Sequence, residues 1–433
     1  MTSNIYKTNK IEILVNVLVI GSGGREHAIG WKLGQNNKID TIFHAPGNGG
    51  TKNNISIDTD DLEGLAKFAS ENDCFTVVGP EVPLAMGIVD MFNQKQLKIF
   101  GPTKHAAQLE SSKIWAKEFM QRNNIPTATF DVFTDPVSAK EYVNRIKHNV
   151  VVKADGLAAG KGVIVCNNID EAEKAIDMML TDKKFGNAGD RILIEERIDG
   201  LEASYIALAD GKIAIPMATS QDHKRIFDND KGGNTGGMGA YSPTPIINND
   251  ISKKIQEKII DKTISALANE NIRFKGFLYA GIMIKNGEPY VLEYNVRMGD
   301  PECQPILMRM ESDLFQYLVA SVDEELEKLP PISWKDKASV CIVLAAKGYP
   351  ESYQKNDEIF GIENIFDDAY IFHAGTKRHE EKILTNGGRV LGVTALGDTL
   401  ELAVNNAYNV AEKITWTNKY CRTDIGKKGL NFT

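Results

Sequence analysis

Apolar and polar positions along this chain switch between two periods, and the switches mark its elements. Short apolar runs at 17–20 (VLVI), 41–45 (TIFHA), 75–79 (FTVVG) and 97–101 (LKIFG) have the length of strands, and the stretches between them have the spacing of amphipathic helices. Strand and helix in alternation predict a parallel sheet with right-handed crossovers over 17–120, with ligands bound where the strands end. From about Pro126 the pattern changes to VVVKA (150–154), GVIVC (162–166), a helix over about 170–180 and RILIEE (191–196). This predicts a small lid over 121–195. A central platform follows over 196–330: SYIALAD and KIAIPMA, a Gly-rich loop, a helix over about 250–269, then FLYAGIMI and YVLEYNV as an antiparallel pair. Pro330-Pro331 marks its end. SVCIVLAA, YIFHAG, RVLGVTA and a last helix predict an α+β region over 331–433, with no fused second enzyme expected after it. Residues 1–16 precede the first strand as an extension.

Length agrees with this division, because 433 residues at roughly 150 per domain give about three. Lys plus Arg (50) against Asp plus Glu (58) leaves a net charge of −8, opposite to the field of a general nucleic-acid binder. Anionic ligands must be held locally. The five cysteines are scattered without a Cys-x-x-Cys pair, which fits a reducing cytoplasm. No leader-like segment and no long apolar span point to secretion or a membrane.

The first Gly-rich turn, GSGGREHA (21–28), follows a strand and opens a helix, so its N–H groups and the helix dipole suit a phosphate. The domain is Rossmann-like, yet the dinucleotide fingerprint needs Gly or Ala where Glu26 stands. It also needs an acid after the second strand, where His44-Ala45-Pro46 is found. A nicotinamide reductase is therefore a distant reading. PGNGG (46–50) ends the second strand at the same sheet edge, so Gly23, Gly24, Gly47, Asn48 and Gly49 are expected to share one substrate phosphate. The competing reading is a pair of tight turns without a ligand.

KADGLAAGKGV (153–163) also looks like a phosphate loop, but it joins two strands and lacks the Ser or Thr after Lys of a Walker loop. A mobile hairpin of this kind folds over a triphosphate, with Gly156, Gly160 and Gly162 letting the backbone approach and Lys153 reaching in. Taken alone it is equally a plain hairpin. EERIDGLE (195–202) follows a buried-looking strand, so its backbone can read an adenine edge while Glu202 accepts ribose hydroxyls. LEYN (292–295) puts Glu293 and Asn295 at i and i+2 on one strand face, two hard oxygen ligands suited to Mg²⁺ bridging phosphates. Lys113, after Ser111-Ser112, adds a second phosphate cation. A lone carboxylate of this sort is ordinarily a solvated surface group; the ordered combination is what points to a nucleotide.

In that order these pieces resemble the ATP-grasp enzymes, whose two lysines, Gly-rich lid loop, Glu-rich hinge and Glu-x-Asn pair recur in the same sequence. The resemblance implies a lid and platform around ATP, with Lys113 and Lys153 on phosphates, Glu195, Glu196 and Ile198 at adenine, Glu202 on ribose, and Glu293 with Asn295 on Mg²⁺ or Mn²⁺. Many relatives carry another metal-binding acid in the preceding strand, where this chain reads Gly281-Ile282-Met283. From Val17 to CRTDIG (421–426) the chain further resembles the phosphoribosylamine–glycine ligase family, on GREHA, PGNGG, GPE, KADGLAAGKGV, TSQDHKR (219–225), NTGGMGAYSP (234–243) and RMGDPECQ (297–304). That implies ATP-dependent joining of glycine to 5-phosphoribosylamine through glycyl phosphate, with no nucleic acid or membrane as partner.

For glycine, Arg297 is expected at the carboxylate, because its planar fork suits one, with Gly299 and Asp300 beside it and Asp222 at the ammonium. Arg297 and Lys153 are the expected catalytic cations, since phosphoryl transfer is mostly positioning and charge stabilisation. The competing reading for Arg297 is an ion pair with Asp300. His223, Lys224 and Arg225 stand equally as substrate contacts or as a solvated turn. The alternatives in function are another ATP-grasp ligase or carboxylase, and a nucleotide-binding module without catalysis.

Overall fold

The computed structural model describes residues 14–146, 148–157, 162–364 and 366–432. The first region is the expected parallel sheet. Strands β1 (Val15–Gly21), β2 (Ile39–Pro46), β3 (Cys74–Val78) and β4 (Ile99–Phe100) lie in the order β2-β1-β3-β4, all pairs parallel. Both faces are covered, so β3 is buried at every residue and its sequence CFTVV reads as continuous apolar rather than alternating. The last strand is shorter than the run 97–101 suggests, because only two of its residues reach β3.

The lid is an antiparallel sheet of β5 (Phe130–Phe133), β6 (Val150–Ala154), β7 (Val163–Val165) and β8 (Ile192–Glu196), in the order β5-β8-β6-β7. Its core is its own, with Val152, Ile176 and Ile194 packed under the helices Pro136–Arg145 and Ile169–Ile176. Asp135 and Asn168 cap those helices by accepting the N–H groups of Ser138 and Glu171.

The platform sheet comprises β9 (Leu201–Asp210), β10 (Ala214–Pro216) and, later in the chain, two long strands. Between them run β11 (Gln221–Asp222), β12 (Arg225–Phe227), β13 (Lys231–Asn234) and β14 (Gly239–Ser242). The long strands are β15 (Lys275–Lys285) and β16 (Glu288–Asn295), and the order is β10-β9-β15-β16. The helical stretch expected at 250–269 forms over 249–269, interrupted by a wider turn at Gln256–Ile260.

The third region supplies β17 (Ala338–Ala346), β18 (Ala369–His373), the hairpin β19 (Thr376–His379) and β20 (Lys382–Thr385), β21 (Arg389–Gly397) and β22 (Lys419–Tyr420). Its main sheet runs β11-β14-β17-β21-β18. Thus β14 pairs with β17 of the third region and β11 pairs with β14, so the two strands that flank the Gly-rich loop join the third region's sheet. Strands of two and four residues are too short to show a period, so the sequence reads there as loop.

Three cores bind these regions together. Leu18 and Ile20 of β1 join a cluster with Ile259, Leu267 and Leu278 of the platform, and Val17 and Val19, on the other face, join Met298, Ile306 and Leu318. The third region closes over Met238, Tyr241, Val340 and Val393. The helix Cys303–Arg309 touches both the helix Gly24–Leu33 and strands β14, β17 and β21, which fixes the segment before it, 297–302, where the regions meet.

Candidate active site

A cleft of about 780 Å³ opens between the lid, the platform, the strand ends of the first sheet and the third region. It is lined by Lys113, Lys153, Gly162, Glu195, Glu196, Ile198, Glu202, Asp222, Glu293, Asn295, Arg297, Gly299 and Asp300, so most of the residues singled out in the sequence converge here. Gly156 lies near Lys113 without lining the cleft, and Gly160 falls outside the described residues.

At the lid end, β6 delivers Lys153 and β8 delivers Glu195. The Lys153 ammonium lies 2.9 Å from Glu195 Oε1 and donates to the Leu292 carbonyl at 3.0 Å, beside Glu293. Lys117 approaches the other oxygen of Glu195 at 3.2 Å and donates to Thr127 Oγ1 at 2.6 Å. Glu195 is 2% exposed, so its side chain anchors two lysines rather than facing a base. Lys117 was not picked out from sequence, yet it stands four residues after Lys113 on the same helix face, a spacing that could have flagged it. Burial pulls its pKa down to about 8 against the pull of Glu195. Lys113 donates to the Gly156 carbonyl at 2.9 Å, and no carboxylate approaches it within 4.0 Å among the described residues. Burial lowers its pKa too, while Glu293 opposes.

The middle of the cleft is acidic around one cation. Lys224 pairs with Glu202 and lies 3.9 Å from Glu293 Oε1. Burial disfavours its charge, but Glu202, Asp222 and Glu293 outweigh burial and hold its pKa well above that of an ordinary lysine. Burial pushes the Asp222 carboxyl up to about 7, against Lys224 and with Glu302 and Glu202. Tyr279 donates to Glu302 Oε1 at 2.7 Å. Glu293 remains ionised: burial raises its pKa, but Lys224, Lys153, Lys113 and Arg297 together lower it below the usual value.

Glu293 and Asn295 do share a face of β16, and both line the cleft. The Glu293 carboxylate accepts no hydrogen bond among the described residues, whereas Asn295 Oδ1 accepts from Arg297 at 3.1 Å. An ionised, un-hydrogen-bonded carboxylate two residues from an amide oxygen fits a hard divalent cation whose other ligands come from phosphates and water. No cluster of three or more His, Cys, Asp or Glu suited to a metal occurs among the described residues.

Arg297 is held by Glu110 at 2.8 Å and Glu81 at 3.3 Å, and donates to the Met298 carbonyl. Its partners are therefore not Asp300. Burial raises the pKa of Glu110, while burial of Glu81 is outweighed by Arg297 and Arg25, which lower it. Glu81 belongs to the GPE motif, but Glu110 carried no signal. Asp300 instead receives Gln304 Nε2 at 3.0 Å and Arg389 Nη2 at 3.4 Å. Gly299 is required because a Cβ there would strike Glu302.

The two N-terminal turns stand apart. Gly23, Gly24, Gly47, Asn48 and Gly49 do not line the cleft. The Gly23 N–H donates to Glu26 Oε2 at 2.6 Å, and the carboxylate of Asp300, held by the Arg25 N–H, lies at the same helix end. Gly47 N donates to the Gly21 carbonyl, Asn48 N to Thr51 Oγ1 and Gly49 N to Thr376. A Cβ on Gly24 would lie 2.6 Å from Gln304 Nε2. The N–H groups of Gly23, Gly47, Asn48 and Gly49 are thus taken, and two carboxylates lie at the positive end of the helix. Glu26, the residue that breaks the dinucleotide fingerprint, fills the space under Gly21, Gly23 and Gly79.

Comparison with known proteins adds an independent line. Residues 15–110, 111–303 and 339–428 match the N domain, the ATP-grasp (A) domain and the C domain of phosphoribosylglycinamide synthetase. The phosphoribosylamine–glycine ligase of Vibrio vulnificus is 51% identical over 424 residues, covering 96% of this chain and 99% of that one. The crystal structure of the phosphoribosylamine–glycine ligase of Thermotoga maritima superposes with a TM-score of 0.82 at 35% identity, covering 95% of this chain and all of that one. The biotin carboxylase domain of a Hydrogenobacter thermophilus 2-oxoglutarate carboxylase, solved with MgADP and bicarbonate, shares the fold at a TM-score of 0.70 and 17% identity, with coverage of 94% and 92%.

Proposed function

The chain belongs to the phosphoribosylglycinamide synthetase family, and on that footing we propose how its cleft divides one ligation among named side chains. The reaction joins glycine to 5-phosphoribosylamine with ATP, giving glycinamide ribonucleotide, ADP and phosphate. ATP and a divalent metal ion serve it, and we take the metal to be Mg²⁺, with Mn²⁺ as its substitute. The observation that carries the assignment of roles is the convergence of Lys113, Lys153, Glu293, Asn295 and Arg297, from a helix, two strands and the segment after the second, on one cleft.

A glycine carboxylate oxygen attacks the γ-phosphorus and ADP leaves, forming glycyl phosphate. The amine nitrogen of phosphoribosylamine then attacks the acyl carbon, phosphate leaves, and the nitrogen loses a proton. Lys113, with no carboxylate within 4.0 Å among the described residues, and Lys153, steered by Glu195, spread the charge of the transferring phosphoryl group. Glu293 and Asn295 would hold the metal ion, which, when bound, neutralises phosphate oxygens. The backbone of Glu196 and Ile198 faces adenine, and Glu202 takes the ribose hydroxyls once released by Lys224. Arg297, fixed by Glu81 and Glu110, orients the glycine carboxylate, and Asp222 accepts from its ammonium. An amine on an anomeric carbon is weakly basic and largely neutral near pH 7, so no strong general base is required. We place the reaction in the cytoplasm; no helix among the described residues is long and apolar enough to cross a membrane.

The test is ADP release in the presence of ATP, Mg²⁺, glycine and freshly generated phosphoribosylamine, with each omitted in turn. ADP and glycinamide ribonucleotide should form together only in the complete mixture. ADP formed at full rate without glycine would place the chemistry elsewhere.

A further inference from the structure

We propose that the 5-phosphate of phosphoribosylamine binds at the end of the cleft built by β12, the loop after β13 and the third region, on Arg225, Arg389, Lys428 and Tyr349. This rests on phosphoribosylamine being the substrate. All four residues line the cleft, and none comes from the lid or from the first sheet. The two N-terminal turns, by contrast, spend their N–H groups on their own chain and on the third region.

Arg225 is the central cation. Its Nη1 donates to the Gly232 carbonyl at 2.7 Å, and among the described residues no carboxylate comes within 4.0 Å of its guanidinium. A half-buried guanidinium without a counter-charge, at the wall of a cleft, is the arrangement that receives an anion, and its fork geometry suits phosphate oxygens. Among the described residues Lys113 is the other cleft-lining cation in that condition, at the lid end. Two uncompensated cations at two ends match two phosphate-bearing substrates.

Around Arg225 the structure adds further donors. Arg389 spends Nη1 on the carbonyls of Gly236 and Asp300, at 2.6 and 2.5 Å, and its Nη2 lies 3.4 Å from the Asp300 carboxylate, so it lines the cleft as a cation already fixed in place. Tyr349 accepts the Gly236 N–H at 3.0 Å, so its own hydroxyl proton is left for a ligand. Lys428 lies 2.7 Å from Asp230, which Arg422 also holds at 3.0 Å, so Asp230 keeps a partner when Lys428 turns to a phosphate. Arg389 also joins the Gly-rich loop to Asp300, so a phosphate there would tie the third region to the glycine end of the cleft.

The experiment uses Arg225→Gln in the full chain, with each substrate varied in turn and ribose 5-phosphate and ribose as competitors. In the unaltered enzyme, ribose 5-phosphate should inhibit competitively with phosphoribosylamine and ribose should not. In Arg225→Gln the KM for phosphoribosylamine should rise about ten- to a hundredfold, the scale of a charge-assisted hydrogen bond. Inhibition by ribose 5-phosphate should disappear, with KM for ATP and glycine within about twofold of normal. Tyr349→Phe, which removes one hydroxyl, provides a second reading and should raise the same KM alone, by a smaller factor. Unchanged phosphoribosylamine KM in both variants, or an equal rise for ATP or glycine, would overturn the placement. An unaltered enzyme that forms no product from phosphoribosylamine would instead remove the substrate, and this proposal with it.

Discussion

Glu293 is the one carboxylate in the cleft whose charge is held by four cations and whose oxygens accept no hydrogen bond among the described residues. Glu293→Ala should lower turnover by about two orders of magnitude or more at ordinary Mg²⁺, the scale of several kcal/mol of metal-stabilised charge, with an unchanged circular dichroism spectrum. Turnover near normal would take Glu293 out of the metal's coordination. That side chain was legible because a strand puts i and i+2 on one face, a purely local rule. Glu110 and Arg389 were not, because their partners lie far along the chain and no local spacing announces them. A Gly-rich turn at a helix start reads as an anion site; here Glu26 accepts the Gly23 N–H and the Asp300 carboxylate accepts the Arg25 N–H at that helix end. Gly24→Val should therefore act on packing: its Cβ meets Gln304, and overpacking of this kind costs about 1–3 kcal/mol. A thermal melt should show the loss, with KM for phosphoribosylamine moving no more than that for ATP; a selective rise in the former would restore a phosphate to this turn.

Most elements were readable from period and length, and the exceptions share a cause. The strands β1, β3, β6, β15 and β17 are apolar runs buried over most of their length, so the chain announces them wherever they pair. β11 and β14 are brief; β14 is set by β17, almost a hundred residues later, and β11 by β14. The joint between the helix Gly24–Leu33 and β18 belongs to the same kind, since His27 and His373 meet only in the folded chain. The His373 N–H donates to His27 Nδ1 at 2.9 Å, which requires that nitrogen to be unprotonated. Burial lowers the pKa of His27 well below its usual value, and that of His373 to about 4. An unfolded histidine titrates near 6.5, so between about pH 6.5 and 4 the unfolded chain binds more protons and stability rises with pH. The joint is at full strength above about pH 6.5 and weakens as pH falls, by about 3 kcal/mol for His373 alone. Urea midpoints at pH 7.5 and 5 should fall accordingly, and His373→Gln should flatten that slope; an unaltered slope would clear His373 of the effect.

The regions that the sequence separates are joined by shared sheets and shared cores, and this governs how the molecule should fail. β1 contributes one face to a core with the platform and the other to a core with the segment around Met298, Ile306 and Leu318. The Gly-rich loop leaves the platform to become the edge of the third region's sheet, through the register of Gly239–Ser242 against Ser339–Ile342. Pro330-Pro331 therefore marks a turn in the chain across which backbone pairing is dense. A chain ending at residue 330 would lose the ladder partner of β14 and strip cover from Met238 and Tyr241, both fully buried in the core they share with Val340 and Val393. It would also lose Arg389 from Asp300 and Gly236, and so the lock on the loop beside Arg297. An unpaired strand edge beside exposed apolar side chains favours association with other chains. The truncated chain should accordingly aggregate or melt without a sharp transition, and form no ADP with the complete substrate mixture. Full-length protein, in turn, should unfold the platform and the third region in one transition, with tryptophan fluorescence from Trp115 and Trp416 changing at the same urea concentration. A truncated chain that stays monomeric, melts cooperatively and binds ATP as tightly as the whole would show that the platform stands alone, and that β14 is held by something other than β17.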